Sequence, residues 1–489
     1  MYRIEQLKEF TENELSKIAQ KMNITQYQSL TKEDLVYTIL DKQSIILDKP
    51  NAEAPKSEAK KTVKKKPRPT KPLKAKSIED TSVKNTPKKT EQANVKKQEA
   101  STTKTSLKTN ELDGLIEGQG VLEIVPDGYG FLRSTHYNYA PSPDDIYVSH
   151  AQIRSFDLKI GDTVNGKLRV PKDGEKYFGL IEPISINGKK LEEMQNRNYF
   201  ENLSSIFPHE KLNITSSSTP TESGTRIIDL FCPIGKGQRA LIVAPPKAGK
   251  TSLITDIATN IAKNHPEIYL IILLVDERVE EASYMKKKLN GHAEVVASTF
   301  DKKAESHIRL TEIVLKKAKR LVEYGHDVCI IADGITRIAR AYNTEVRSSG
   351  KTLSGGVDVN ALHKPKNFFG AARNIEDGGS LTIIATALVE TGSRMDDLIF
   401  EEFKGTGNME CQLDRRLANK DIYPAIDVLN SKTRKEELLQ SPAVMRKIKI
   451  LRRAMIDMKP EEAMAVLLKN MRGTKNNTEL LASMQDESY

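Results

Sequence analysis

The stretch from Leu241 to Leu253, Leu-Ile-Val-Ala-Pro-Pro-Lys-Ala-Gly-Lys-Thr-Ser-Leu, constrains the fold more than any other. Leu241, Ile242 and Val243 form a short apolar run suited to a parallel strand covered on both faces. Ala244 to Thr251 differs at one position from G-x-x-x-x-G-K-[ST], the loop that cradles a polyphosphate. Leu253, Ile254, Ile257 and Ile261 then recur at helical spacing. Strand, loop and helix in that order are the setting the motif requires. Backbone N–H groups of Lys247, Ala248 and Gly249 would face the phosphates, and the helix N-terminus adds positive potential. Lys250 supplies a point charge, and the Thr251 hydroxyl, with Ser252 beside it, can reach a Mg²⁺ ion. Ala244 stands where the motif has its first glycine, and Pro245 and Pro246 rigidify the turn instead. A nucleoside triphosphate with Mg²⁺ is therefore the expected ligand.

The flanking sequence alternates strands and helices. Tyr269 to Val275, Val328 to Ala332 and Leu381 to Ala387 are apolar runs, with a helix over Ser306 to Tyr324 between two of them. Such alternation predicts a parallel sheet with helices on both faces. Two of the runs end in acids, Asp276-Glu277-Arg278 and Asp333, and ligands in such sheets sit at the C-terminal strand ends. Asp333 is read as a Mg²⁺ partner and Glu277 as the base that orients the attacking water. The plainer reading of either acid is a helix cap. Gly235-Lys236-Gly237-Gln238-Arg239-Ala240, directly before the strand, is expected to help close the nucleotide pocket. Arg337 and Arg340 share a helix face, as a relay at a subunit boundary or as ordinary ion-paired arginines. The loop Lys351-Thr352-Leu353-Ser354-Gly355-Gly356 and the turn Thr391 to Arg394 together could track a single strand's backbone.

Upstream the chain changes character three times. Residues 1–48 carry Ile4, Leu7, Phe10, Leu15, Ile18 and Ala19 at helical spacing, which predicts a small helical unit. Residues 49–112 are rich in Lys, Thr, Pro, Ala and Ser and almost lack large apolar side chains, so a disordered basic linker is expected. The net charge of +10 favours a polyanionic partner. From residue 113 to 190, short runs separated by turns predict a small β-barrel. Its informative piece is Gly128-Tyr129-Gly130-Phe131-Leu132-Arg133. Tyr129 and Phe131 alternate, so both rings project from one strand face as stacking platforms for unpaired bases, and Arg133 is placed to meet a phosphate or base edge. Tyr147 and Tyr177 extend the platform; the alternative is that these aromatics are core. Residues 191–225 read as a connector, 226–475 as the ATPase domain and 476–489 as a tail. Three scattered cysteines, Cys232, Cys329 and Cys411, argue against a disulfide framework. With no signal peptide or long apolar run in sight, a cytoplasmic protein without a membrane partner is expected.

The ordered set of motifs resembles the Rho family of bacterial transcription terminators, ring-shaped hexameric RNA helicases. It rests on Gly128 to Arg133, Ala244 to Thr251, Val275 to Arg278, Ile335 to Asn343, Phe369 to Asn374 and Glu401 to Glu410. It spans residues 118–470, with a looser match at 1–48. The resemblance implies a cold-shock (OB-fold) barrel followed by a RecA-like ATPase domain, acting as a 5′→3′ RNA translocase that releases RNA from the polymerase elongation complex. The implied primary RNA site comprises Gly128 to Arg133, Asp145, Ile146, Tyr147, Glu175, Lys176 and Tyr177, with a preference for pyrimidine-rich single strands. Lys351 to Gly356 and Thr391 to Arg394 would form a secondary site inside a homohexameric ring. Glu277 would be the catalytic glutamate, Arg278 a pocket arginine, Tyr423 the adenine-stacking ring, and Arg434 the arginine finger reaching the next subunit's ATP. Ala244 matches the family. Arg394 replaces a frequent Lys, Asp421 occupies an often basic position, and the basic linker is an insertion.

Two other readings share part of this pattern. A rotary or export ATPase has the same core, but lacks the Tyr129/Phe131 aromatic strand. A non-enzymatic RNA-binding regulator would not need Lys250, Glu277 and Asp333 together.

Overall fold

A computed structural model describes Leu15, Ile18, Ala19 and residues 114–484, apart from 173, 194–196, 216–222 and 348. The helical unit expected at 1–48 therefore lies outside the described residues except at those three positions, and the linker expected at 49–112 lies wholly outside them.

The first ordered body is a barrel. Its strands are β1 (Ile116–Ile124), β2 (Gly130–Arg133), β3 (Ile146–Val148), β4 (Thr163–Arg169), β5 (Phe178–Ile186) and β6 (Lys189–Lys190), with helix α1 (His150–Ser155) between β3 and β4. They run in the order β3-β2-β1-β4-β5-β6, and pairing of β3 with β5 closes the sheet on itself. Alternate residues point inward, so Leu122, Leu132, Ile146, Val148, Val164 and Leu180 fill the interior. The barrel core is completed from outside by Tyr324 of the ATPase domain.

The second body is a nine-stranded sheet among the described residues, built with helices on both faces. In chain order its elements are β7 (Ser205–Ile206), α2 (Ser223–Phe231), β8 (Arg239–Ala244), α3 (Lys250–Asn264), β9 (Tyr269–Glu277), α4 (Val279–Leu289), β10 (Glu294–Thr299), α5 (Ala304–Glu323) and β11 (Asp327–Asp333). They continue with α6 (Ile335–Glu345), α7 (His363–Gly370), β12 (Arg373–Ile375), β13 (Ser380–Leu388), α8 (Arg394–Lys404), β14 (Met409–Leu413), α9 (Arg415–Ala418) and β15 (Ile426–Thr433). Helices α10 (Pro442–Met455), α11 (Pro460–Arg472) and α12 (Asn477–Ser483) complete the elements of the described residues. The main strand order is β10-β9-β11-β13-β8-β14-β15, parallel except for the last pair.

Period-two alternation divides these strands between two cores. Ile242, Ile272, Ile331 and Ile384 face α2, α3 and α4 on one side. Leu241, Val243, Leu273, Ile330 and Ile383 face α5, α6 and α7 on the other. Covering both faces explains why the strands read as continuous apolar runs. The barrel's Val121 and Tyr139 belong to the second core, so the two bodies interlock.

Two boundaries differ from expectation. The connector contributes β7, which pairs with β12 at the sheet's margin. The tail expected from 476 is a helix over Asn477–Ser483: Asn476 caps it, Leu480 and Leu481 bury against the core, and the Asn477 side chain accepts from Arg226 Nε at 3.1 Å. Two adjacent leucines behind a capping asparagine are enough to dock a short helix that a polar composition conceals.

Candidate nucleotide and RNA sites

Strand β8 delivers the chain to the loop Pro245–Gly249 at the C-terminal edge of the sheet, and α3 leaves from it. Gly249 is the N-cap of α3 at φ 83°, a conformation that L side chains resist. A cavity of about 1010 Å³ opens in front of the loop. Lys247 to Ser252, Glu277, Arg278, Arg337 and Tyr423 all line it. The expected strand-end residues therefore converge with the loop, although they come from four separate stretches of sequence.

Lys250 Nζ donates to Asp333 Oδ1, which also accepts from Thr386 Oγ1 at 2.8 Å. Thr251 Oγ1 lies 3.4 Å from Glu281 Oε2. Glu281 was not singled out in the sequence; its position one helical turn beyond Glu277-Arg278 was the available signal. Thr251, Asp333 and Glu281 offer hard oxygen ligands, which suits Mg²⁺. Among the described residues no three acidic, His or Cys side chains close around one point. That fits a cation held mainly by phosphates and water, as Mg²⁺ is when it accompanies a nucleotide.

Glu277 is 5% exposed, and its Oε2 has no hydrogen-bond partner among the described residues. Arg337 Nη1 stands 3.5 Å away, in ion-pair range only. Burial, and next the charge of Asp333, raise its pKa above the ordinary carboxylate value. A buried acceptor left open toward a cavity is equipped to take a proton from, or align, a water molecule.

The Gly-rich turn does not close this cavity. Gly235, Lys236, Gly237 and Gln238 lie at the opposite end of β8, and Arg239 and Ala240 lie within the strand's first turn of pleat. Six residues of strand put roughly 20 Å between that turn and the phosphate loop. Lys236 is ion-paired there with Glu210 at 2.6 Å and Asp327 at 2.9 Å. Arg239 donates to Thr406 O and Ala372 O. Arg434 is exposed at this same far end, its backbone N–H donating to Asn408 O at 2.8 Å while the Asn408 side chain accepts from Gln238 and Arg239.

On the barrel, Gly130, Phe131 and Leu132 pair with Val148, Tyr147 and Ile146. Tyr129 precedes β2 rather than belonging to it, yet its ring reaches Phe131 at 5.8 Å and Tyr147 at 5.7 Å. Phe131 meets Tyr147 at 6.0 Å and Tyr177 at 5.1 Å. The four rings are half-buried on the outer face, so they form one surface and are not core. Lys176 Nζ lies 5.0 Å from the Tyr177 ring centre. Glu175 accepts from Arg169 Nη1 at 2.7 Å and from Lys172 N at 3.1 Å; burial opposes its charge, but these donors together hold the carboxyl below its ordinary value.

Three expectations are corrected here. Leu132 and Ile146 point into the barrel and are buried, as alternation from Phe131 and Tyr147 demands. Arg133 is not a free cation for a phosphate: it is 7% exposed, bonded to Glu123 at 2.7 Å and to Asp145, with its guanidinium 4.9 Å from the Phe131 ring centre. Asp145 is fully buried and also accepts from Ser142 N at 2.8 Å and Ser142 Oγ at 3.0 Å. These two residues underpin the aromatic surface from its edge.

In the second pair of loops, Lys351 to Gly356 are all exposed. A Cβ on Gly355 would fall 2.7 Å from Met395 N, so this loop packs on the start of α8, beside Arg394. Arg340 does not share a task with Arg337: it forms a two-pronged bond to Asp396, at 2.8 and 2.6 Å, tying α6 to α8.

The fold and site define an ATPase of the parallel-sheet, phosphate-loop class that carries an RNA-binding barrel. Residues 118–192 match the family described as "Rho termination factor, RNA-binding domain", residues 224–433 "ATP synthase alpha/beta family, nucleotide-binding domain", and residues 6–45 "Rho termination factor, N-terminal domain". The chain is 55% identical over 371 residues to the transcription termination factor Rho of Pseudomonas aeruginosa, covering 76% of this chain and 88% of that one. Against the same factor of Salmonella typhimurium the identity is 54% over equal spans. A prototypical ATPase from a type III secretion system shares 19% identity with a TM-score of 0.47, covering 57% of this chain and 85% of its own. The chain belongs to the family of transcription termination factor Rho. Among the described residues no helix is long and apolar enough to cross a membrane.

Proposed function

We propose that this chain is an ATP-driven 5′→3′ RNA translocase and helicase that binds nascent single-stranded RNA and terminates transcription by releasing the RNA from the polymerase elongation complex, working as a cytoplasmic homohexamer. The observation that carries this reading is the open, buried carboxylate of Glu277 at the phosphate loop of a chain that also displays four clustered rings on a barrel. Bases stack on Tyr129, Phe131, Tyr147 and Tyr177, with Lys176 near the backbone. Lys351 to Gly356 and Arg394, brought together by Gly355, form the second RNA contact.

In the ATP site the loop N–H groups and Lys250 hold the phosphates, Tyr423 stacks on the base, and Glu277 aligns the attacking water. Mg²⁺, near Thr251 and Asp333, would neutralise charge developing on the phosphates. Arg434 is too far from its own chain's cavity to serve it, which supports action on a neighbouring subunit's ATP.

The test is ATP turnover at fixed salt with and without cytidine-rich RNA. Turnover should be low alone and rise with RNA. A rate indifferent to RNA would sink the proposal and favour an ATPase of the export type.

A further inference from the structure

The barrel does not hang from the ATPase domain by a linker; it lies along the whole length of α5. At the C-terminal end of α5, Arg197 of the connector bonds Asp162 of the barrel at 2.7 and 3.0 Å and Glu323 of α5 at 2.9 Å. Both carboxylates are fully buried. In the middle, the turn at Gly161 approaches so closely that an added Cβ would sit 2.6 Å from Lys316 C and 2.7 Å from Lys317 N. At the N-terminal end, Arg309 grips Glu123 of β1 with two prongs of 2.8 Å each and also donates to Tyr139 O at 2.6 Å. A rigid element fixed to the barrel at three points must share any displacement of it.

Glu123 is the joint between the two bodies. Its Oε2 accepts from Arg309 and also from Arg133, and Arg133 lies against the Phe131 ring. Two arginines thus draw on one carboxylate, one from the aromatic surface and one from the ATPase domain. A base that stacks on Phe131 meets the ring already covered by Arg133. An adjustment of that guanidinium would change its share of a carboxylate that Arg309 also holds.

The other side of α5 bears on the strand that carries Glu277. His307 Nδ1 meets Ser298 Oγ of β10 at 2.7 Å. Ser298 and Thr299 pair in register with Val275 and Glu277 of β9, and Phe300 N donates to Glu277 O at 3.2 Å. The N-terminal turns of α5 therefore lie between the aromatic surface and the strand end that holds the hydrolytic carboxylate.

We infer that Arg309 is a positioning residue that couples occupation of the barrel's aromatic surface to the setting of Glu277, by way of Glu123 and α5. This rests on the RNA-stimulated ATPase reading above. Arg309 touches neither the cavity nor the rings, and its side chain is one-third exposed, so its substitution is expected to leave both sites and the fold in place.

The experiment compares wild type, Arg309→Gln and Arg309→Lys in the full chain, measuring RNA-free turnover, RNA-saturated turnover, the KM for ATP and the Kd for a cytidine oligonucleotide at one salt concentration. Arg309→Gln should lose about five-fold or more of the RNA stimulation while the other three quantities stay at wild-type values. Arg309→Lys, which keeps the charge but not the fork, should recover part of it. Wild-type stimulation in Arg309→Gln overturns the coupling. So does a loss that disappears at saturating RNA, because Arg309 would then merely support binding. A wild-type chain that RNA does not stimulate fails at the preceding step, and is recognised before any variant is made.

Discussion

Strand β8 has a glycine-flanked lysine at each end, and the two ends have opposite fates. Lys236 sits between Gly235 and Gly237 before the strand; Lys250 follows Gly249 after it. Lys236 is held by Glu210 and Asp327, with Glu267 at 3.9 Å, and does not line its own chain's nucleotide cavity. Lys250 has Asp333 alone and opens onto the large cavity. Local composition does not separate them. Strand direction does: at the C-terminal edge the next element is a helix whose N-terminus points at the cavity, and neighbouring strands end there in acids. At the N-terminal edge the same kind of turn becomes a structural ion-pair knot.

The sharpest way to break this contrast is at Glu277. Glu277→Gln removes the carboxylate's charge and basicity and should cut RNA-stimulated kcat by about 10²–10⁴, with ATP binding retained; near-normal turnover would move the hydrolytic role elsewhere. Lys250→Ala should come next, lowering kcat/KM by about 10²–10³ because the ammonium that faces the transferring phosphate is lost. Its counterpart Lys236→Ala should leave kcat within the wild-type range but destabilise the domain by about 1–2 kcal/mol, read as a lower urea midpoint. If Lys236→Ala instead raised the KM for ATP, the two ends would not be distinct. The smallest effect is in pH. Glu277 acts as a carboxylate and its pKa is raised by burial and by Asp333, so the acid limb of kcat should fall away above the ordinary glutamate range near 4.3. A limb at or below that value would show that burial does not govern its proton affinity.

The residues read most securely from sequence were those whose neighbours in the chain fix their place. Lys247 to Ser252 follow a strand and open a helix, and Glu277 and Asp333 end apolar runs, so each was located by one element's direction. The aromatic surface was legible for the same reason, since Phe131 and Tyr147 alternate with buried Leu132 and Ile146. Assigning Gly235 to Ala240 to the pocket failed because adjacency in sequence across a strand means separation in space. Arg133 looked like a free cation because its partners, Glu123 and Asp145, come from other strands. Arg340 was captured by Asp396, more than fifty residues away. Long-range pairing of charges leaves no local trace in a sequence.

The far placement of Arg434 gives each chain a polarity, a hook at one end and an eye at the other. In the proposed role a hook never fits the eye of its own link. An open row of n such links then holds n − 1 complete catalytic centres, and only a row bent round until its ends meet holds n. Turnover per chain should therefore depend on how many links are joined and whether the row has closed, so that dilution alone disarms the enzyme without unfolding a single residue of it.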